Sequence, residues 1–278
     1  MKMTRQQAKQ MAEVEKLVAL ERRLSMDERM FVLEHYQEGA HTDNAAIGAF
    51  FTPCGLARDF SLDVSGATVV DLCAGIGALA FACESEGRHF TCVEQNAEYV
   101  RVGRKVMPDA TWIHSDVFGY WWKEVPHFDM AIANPPFGRI RESTYVGAYT
   151  GGEFEYKVID LALRISDRGA FIVPQQSAPF RFSGARYYER IVSTKCAAFL
   201  RDTGICLEVG AGVDTSIYRD AWHGVSPICE IVLAEFPEGY ESEGDASHLT
   251  TAEVPNRASE MIPITGADPR QLDMFATI

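Results

Sequence analysis

Asn134-Pro135-Pro136-Phe137 closes the apolar run Phe128-Asp129-Met130-Ala131-Ile132-Ala133, and its residue types are those needed to hold and polarise an exocyclic amine. The N6 lone pair of adenine is delocalised into the ring, so the nitrogen attacks only when acceptors hold both its protons and let it pyramidalise. The Asn134 side-chain oxygen is read as one acceptor and the Pro135 carbonyl as the other. Pro135 and Pro136 stiffen the turn, so both acceptors are oriented in advance. No ionised base is then required. Phe137 is read as an aromatic platform for the base, a contact worth about 1–3 kcal/mol in single-strand binding proteins. The chemistry these four residues predict is methyl transfer to nitrogen.

Such a turn needs a strand to carry it and a donor site beside it. Upstream, Thr68-Val69-Val70-Asp71-Leu72 reads as a buried parallel strand, and Cys73-Ala74-Gly75-Ile76-Gly77 as a small-residue turn into the helical run from Ala78 to Cys83. The glycines let the backbone approach a ligand, and the helix start offers free N–H groups. Gly75-x-Gly77-x-x-Ala80 also satisfies the dinucleotide fingerprint, which leaves a nicotinamide enzyme open at this point. An Asn-Pro-Pro-Phe turn has no use in hydride transfer. The next strand, His89-Phe90-Thr91-Cys92-Val93, ends at Glu94, where a carboxylate can accept both hydroxyls of a ribose. A third, Thr111-Trp112-Ile113-His114, leads to Asp116, placed to accept a proton from an adenine amino group. Ligands of open α/β sheets bind at the carboxyl ends of successive strands, and Glu94, Asp116 and Asn134 stand at three of them.

With these residues in place the chain resembles the class I S-adenosylmethionine-dependent methyltransferases, over roughly residues 49 to 236. Within them it is similar to the amino-group enzymes that carry an Asn/Asp-Pro-Pro-aromatic motif. The resemblance implies a Rossmann-like α/β fold: a mostly parallel seven-stranded sheet with helices on both faces, here with an N-terminal helical extension. It makes Asp71, Ala74, Gly75 and Gly77 the cofactor loop, Glu94 the ribose acid, Asp116 the adenine contact and Asn134 to Phe137 the catalytic motif, with Asn134 also beside the cofactor. Phe51-Thr52-Pro53 is similar to the segment that closes over the methionine end of the cofactor, and its position ahead of the loop matches the gamma order of DNA adenine methyltransferases. In that group a second aromatic packs near the flipped base, a role open here to Phe180 or Phe182. The implied cofactor is S-adenosyl-L-methionine, and the implied activity is DNA adenine-N6 methylation, site-specific or non-specific. The alternative is a ribosomal RNA adenine or guanine amino-group methyltransferase. Gamma enzymes usually carry a target-recognition domain, for which the residues after Cys206 leave little room. A short or relaxed site is therefore expected, as in small phage or prophage enzymes that blunt restriction. A binding protein that kept the fold and lost activity is a different class of answer, and the intact Asn134 to Phe137 motif argues against it.

At 278 residues and 47% hydrophobic composition the chain can bury one substantial α/β core, since single domains run to about 250 residues. The expected divisions are residues 1–48 as the helical extension, 49–236 as the catalytic domain and 237–278 as an acidic, flexible tail. Residues 4 to 38 show helical spacing, with Val14, Leu17, Val18 and Leu24 on one stripe and Ser25-Met26-Asp27-Glu28 as a capping box, which predicts a helical hairpin. The hairpin is expected to pack on the catalytic domain or to pair two copies as a homodimer. Residues 138 to 152 read as a polar substrate lid, Glu153 to Ile165 as a helix, Gly169 to Pro174 as the fifth strand, and 205–210 and 228–236 as the antiparallel end of the sheet.

Seven cysteines without a Cys-x-x-Cys pair indicate a reduced, cytoplasmic protein, and no apolar run approaches the roughly 20 residues of a membrane span. The seven histidines share no ligand spacing, so no metal is expected. Pro53-Cys54 matches the dipeptide of cytosine C5 methyltransferases, but there the nucleophile follows the cofactor loop and Cys54 precedes it. A formal net charge of −13 opposes a phosphate backbone, yet residues 137 to 205 hold ten basic against seven acidic side chains. Arg139 and Arg141, directly after the motif, are the expected substrate contacts.

Overall fold

Strands that read as unbroken apolar runs are buried on both faces. In the computed structural model, which describes residues 3–37, 50–137 and 145–235, β1 (Thr68–Leu72), β4 (Met130–Ala133) and β5 (Arg168–Pro174) form the centre of a sheet whose side chains point into two cores. β2 (His89–Glu94), β3 (Thr111–His114), β8 (Cys206–Val209) and β9 (Cys229–Glu235) complete it in the order β3-β2-β1-β4-β5-β9-β8. The pairs from β3 to β5 are parallel, and β9 runs antiparallel to both β5 and β8. This is the expected mostly parallel seven-stranded sheet. Because β1 crosses over to β2 on one side while β4 lies on the other, the loops after β1 and β4 diverge and leave a crevice at their carboxyl ends.

Helices cover both faces. On one side α3 (Cys54–Phe60), α4 (Ala78–Ala82) and α5 (Ala97–Val106) pack on Val69, Ile132, Ala170 and Ile172. On the other, α6 (Phe154–Ile165) and α7 (Thr194–Thr203) cover Val70, Leu72, Ala131 and Phe171. The N-terminal hairpin of α1 (Arg5–Val18) and α2 (Met26–His35) joins the first of these cores through Met11, Val14, Val18, Val32 and Leu33. The Ser25–Glu28 capping box is present, and a second one, Thr4–Gln7, opens α1. The apolar stripe is thus spent on the chain's own sheet, and a homodimer through these helices would have to use their other faces.

Three features depart from the sequence reading. β4 begins only at Met130, because Phe128 makes a single bridge to Ser166 and the Asp129 carboxylate accepts the Ala67 and Thr68 N–H groups at the start of β1. Helices α3, α5 and α7 were not anticipated. The segment after β5 folds into a small hairpin of β6 (Phe180–Arg181) and β7 (Glu189–Arg190). The Gly39–Gly48 linker, residues 138–144 of the expected lid and the acidic tail lie outside the described residues.

Candidate active site

Asn134 follows β4 directly, and its amide is held in one orientation. The side-chain nitrogen donates to the Phe50 carbonyl at 3.1 Å and to Thr52 Oγ1 at 3.0 Å. A backbone carbonyl can only accept, so it is the nitrogen that must face residues 50–52. Oδ1 points the other way and accepts no hydrogen bond from the described residues. Thr52 is 7% exposed, so its hydroxyl is a fixed anchor. Pro135 is buried, and Phe137 is half-buried with its ring at the margin of the core. The segment Phe51-Thr52-Pro53 therefore touches the turn that opens at Asn134.

The loop after β1 is held in a strained conformation. Cys73 has a left-handed φ of 62°, rare for a residue with a side chain, and Gly75 and Gly77 follow at 56° and 91°. The Ala74 N–H bonds the Val93 carbonyl at 2.9 Å, tying the loop to β2. The Phe51 ring lies over Gly75: a Cβ there would stand 3.0 Å from Phe51 Cε1. Phe51 in turn packs edge-on against Tyr99 of α5 at 4.9 Å and tilted against Tyr36 at 5.8 Å. Tyr36, at the end of α2, is fully buried, and its hydroxyl has no hydrogen-bond partner among the described residues. The N-terminal hairpin thus supplies part of the wall.

Glu94, at the end of β2, is clamped from two sides. One carboxylate oxygen accepts from the Gly75 N–H at 2.9 Å and the other from the Asn96 N–H at 2.7 Å. Burial pushes its pKa up, and these two N–H groups, Asn96 before Gly75, oppose that rise. Each oxygen keeps a lone pair for a diol. Asp116 accepts from the Phe118 N–H at 2.8 Å, which fixes its carboxylate beyond β3.

Asp71 was expected among the cofactor contacts. At 1% exposed it is buried instead, and burial drives its pKa well above the usual range against the pull of the Ala80 N–H. Phe180 is 2% exposed and stacked on Tyr188 at 5.7 Å, so its ring belongs to the core and cannot meet a base without moving the hairpin. Phe182 stays half-buried, with its N–H held by Glu230. Arg139 and Arg141 lie outside the described residues. The Cys54 thiol is pushed up to about 11, by burial first and the Glu34 charge second, which suits a wall residue and not a nucleophile. Phe50, Tyr36, Tyr99 and Asn96 went unread in the sequence; of these only Asn96, a helix cap ahead of Ala97, carried a local signal.

This donor set fits S-adenosylmethionine. Glu94, with spare lone pairs, and Asp116 stand at or just beyond the ends of two successive strands beside the glycine loop, the edge at which open α/β sheets take a nucleotide. Among the described residues no group of three or more His, Cys, Asp or Glu could hold a metal, and no helix is long and apolar enough to cross a membrane.

The family model described as "Methyltransferase small domain" matches residues 56–148, which include the glycine loop, Glu94, Asp116 and Asn134 to Phe137. No curated protein matches the chain. Among solved structures, one described as a candidate class I S-adenosylmethionine-dependent methyltransferase from Listeria monocytogenes is similar over 84% of this chain and 71% of its own, with TM-score 0.52 and 10% identity. A candidate RNA methyltransferase from Pyrococcus horikoshii aligns over 81% of this chain and 99% of its own, with TM-score 0.47 and 18% identity. The M protein of the type I restriction enzyme EcoKI aligns over 82% and 54%, with TM-score 0.47 and 12% identity. The first of these likenesses, together with the strand order, shows the fold of the class I methyltransferases.

Proposed function

We propose that this chain transfers the methyl group of S-adenosylmethionine to the exocyclic amine of a purine in nucleic acid, adenine N6 first, with residues 49–236 as the catalytic segment. The observation that carries this reading is the fixed Asn134 amide, whose nitrogen is taken by Phe50 and Thr52 and whose Oδ1 is left to accept an N–H. When bound, the cofactor supplies a methyl group on a positively charged sulfur. Asn134 Oδ1 and the Pro135 carbonyl each hold one proton of the amine, which turns its lone pair out of the ring. Phe137 stacks on the base, Glu94 takes the ribose of the cofactor, and Asp116 takes its adenine. Arg139 and Arg141, directly after the motif, contact the polymer.

Of the two polymers RNA is placed first. The residues after β5 carry exposed tyrosines, Tyr187 and Tyr188, at the same edge of the sheet as Asn134. Aromatic faces of this kind suit unpaired bases, which are how proteins most often read RNA. A DNA duplex, the second reading, requires the target to be extruded from the stack. Incorporation of tritiated methyl from S-adenosylmethionine into total RNA, single-stranded DNA and duplex DNA, run in parallel, tests the proposal. Label in RNA supports the first reading and label confined to DNA the second. Label in neither polymer removes both.

A further inference from the structure

The carboxyl edge of the sheet carries a second concavity, a cleft of about 580 Å³ between the β6–β7 hairpin and the 3-10 turn Thr215–Ala221. Its walls are fixed by two carboxylates behind the lining. Glu230 of β9, 1% exposed, accepts from Gln175 Nε2 at 2.7 Å, from the Phe182 and Ser183 N–H groups at 2.9 Å and from Ser183 Oγ at 2.7 Å. Asp214 accepts from the Gly184 N–H at 2.9 Å and the Ser216 N–H at 3.0 Å, one on each wall. The cleft is therefore built before anything enters it.

Three guanidinium groups line it, those of Arg181, Arg186 and Arg219. Glu189, the one carboxylate on the lining, is taken by Arg181 at 2.6 Å. Arg186 lies over the Tyr187 ring at 5.3 Å, and neither Arg186 nor Arg219 has a carboxylate partner among the described residues. Tyr187 is 70% exposed, an uncommon position for so large an apolar ring. Tyr188, 46% exposed, is braced from behind by Phe180. Two arginines without a carboxylate partner among the described residues, beside an exposed ring that one of them covers on one side, are parts that suit a phosphate and a flat ring together. The same 3-10 turn touches the active site's support, since Tyr218 packs against Gly55 and donates to Asp59, both on the helix that follows Thr52.

We propose that this cleft holds the unpaired nucleotides flanking the target base, with Arg186 and Arg219 on phosphate oxygens and Tyr187 stacked on a neighbouring base. This assignment rests on the nucleic-acid reading of the active site. It is tested with fluorescein-labelled single-stranded oligonucleotides containing adenine, in RNA and DNA form, titrated over a salt series with the parent, the double variant Arg186→Gln/Arg219→Gln and Tyr187→Ala. Calorimetry with S-adenosylmethionine serves as the folding control and should be unchanged in both variants. The double variant should lose at least tenfold in oligonucleotide affinity. Its slope of log affinity against log salt should shrink by about 1.4, about 0.7 for each lost contact to a single strand. Tyr187→Ala should lose about tenfold with the slope unchanged, because stacking releases no counterions. A parent that binds the strands while both variants bind equally well, with the parental slope, overturns the cleft assignment and leaves the active-site reading standing. A parent that neither binds nor methylates any strand removes both.

Discussion

The Phe50 carbonyl sets which way Asn134 faces, and Thr52 holds its second N–H. The Asn134 amide has two N–H groups, and Phe50 and Thr52 take one each, 82 residues or more away along the chain. Replacing the hydroxyl by a methyl keeps the shape and leaves one N–H unpaired. Thr52→Val should therefore cost about 1–3 kcal/mol of stability, the usual cost of a polar group stranded on burial. The amide is then held by the Phe50 carbonyl alone and is less firmly positioned, so kcat should fall by about 10-fold while cofactor affinity changes little. Steady-state kinetics alongside calorimetry separates the two; equal losses in kcat and in cofactor affinity would show that Thr52 supports the cofactor and does not position Asn134.

At the scale of elements, the glycine loop and the Phe51 segment form one unit. Gly75 sits at a left-handed φ of 56°, and a Cβ there would press on Phe51 at 3.0 and 3.1 Å. Gly75→Ala combines a backbone penalty of about 1–2 kcal/mol with displacement of that ring. Its expected result is a cofactor affinity lowered by tenfold or more with the fold retained, read by calorimetry and circular dichroism; parental affinity would place the cofactor elsewhere. Much of this unit was legible in the sequence. Apolar runs ending in Glu94 and Asn134 marked the strands and their carboxyl ends, since buried parallel strands cannot be polar. What was not legible is held by distant partners. Strands β6 and β7 have two residues each, too few for any period, and their turn is pinned by Glu230, almost fifty residues later. Phe180 read as a substrate aromatic because sequence shows a residue's type and not which side of a hairpin it faces. Asp71 read as a ligand contact for the same reason: its position at the strand end was visible, its complete burial was not.

For the whole molecule, two acids beside the crevice, Asp71 buried and Glu94 half-buried, make stability depend on pH in a definite direction. Burial raises the pKa of Asp71 and of Glu94 above their ordinary values of 3.8 and 4.5. Over the window between ordinary and raised values the native chain holds protons that the unfolded chain has released. Their contribution to stability is complete below the ordinary values and is lost as pH rises through the raised ones. Asp71→Asn has no such proton to lose. In urea titrations of the unliganded protein, the stability of the variant relative to the parent should rise as pH increases above the ordinary Asp value of 3.8. A constant difference would mean that Asp71 ionises normally in the folded chain. Charge is also uneven along the chain: the excess of acid lies outside residues 137 to 205, where the cleft arginines Arg181 and Arg186 stand. An acidic protein can in this way keep a local surface for phosphate. The central claim is that a purine's exocyclic nitrogen receives the methyl group. It is tested most directly by mass spectrometry of nucleosides digested from RNA and DNA after reaction with S-adenosylmethionine carrying a deuterated methyl group, for the parent and for Asn134→Ala. Label on the exocyclic nitrogen of adenine or guanine is expected with the parent and almost none with Asn134→Ala, whose cofactor binding is kept. Label on a ring atom or a sugar hydroxyl, or undiminished label with Asn134→Ala, would contradict it.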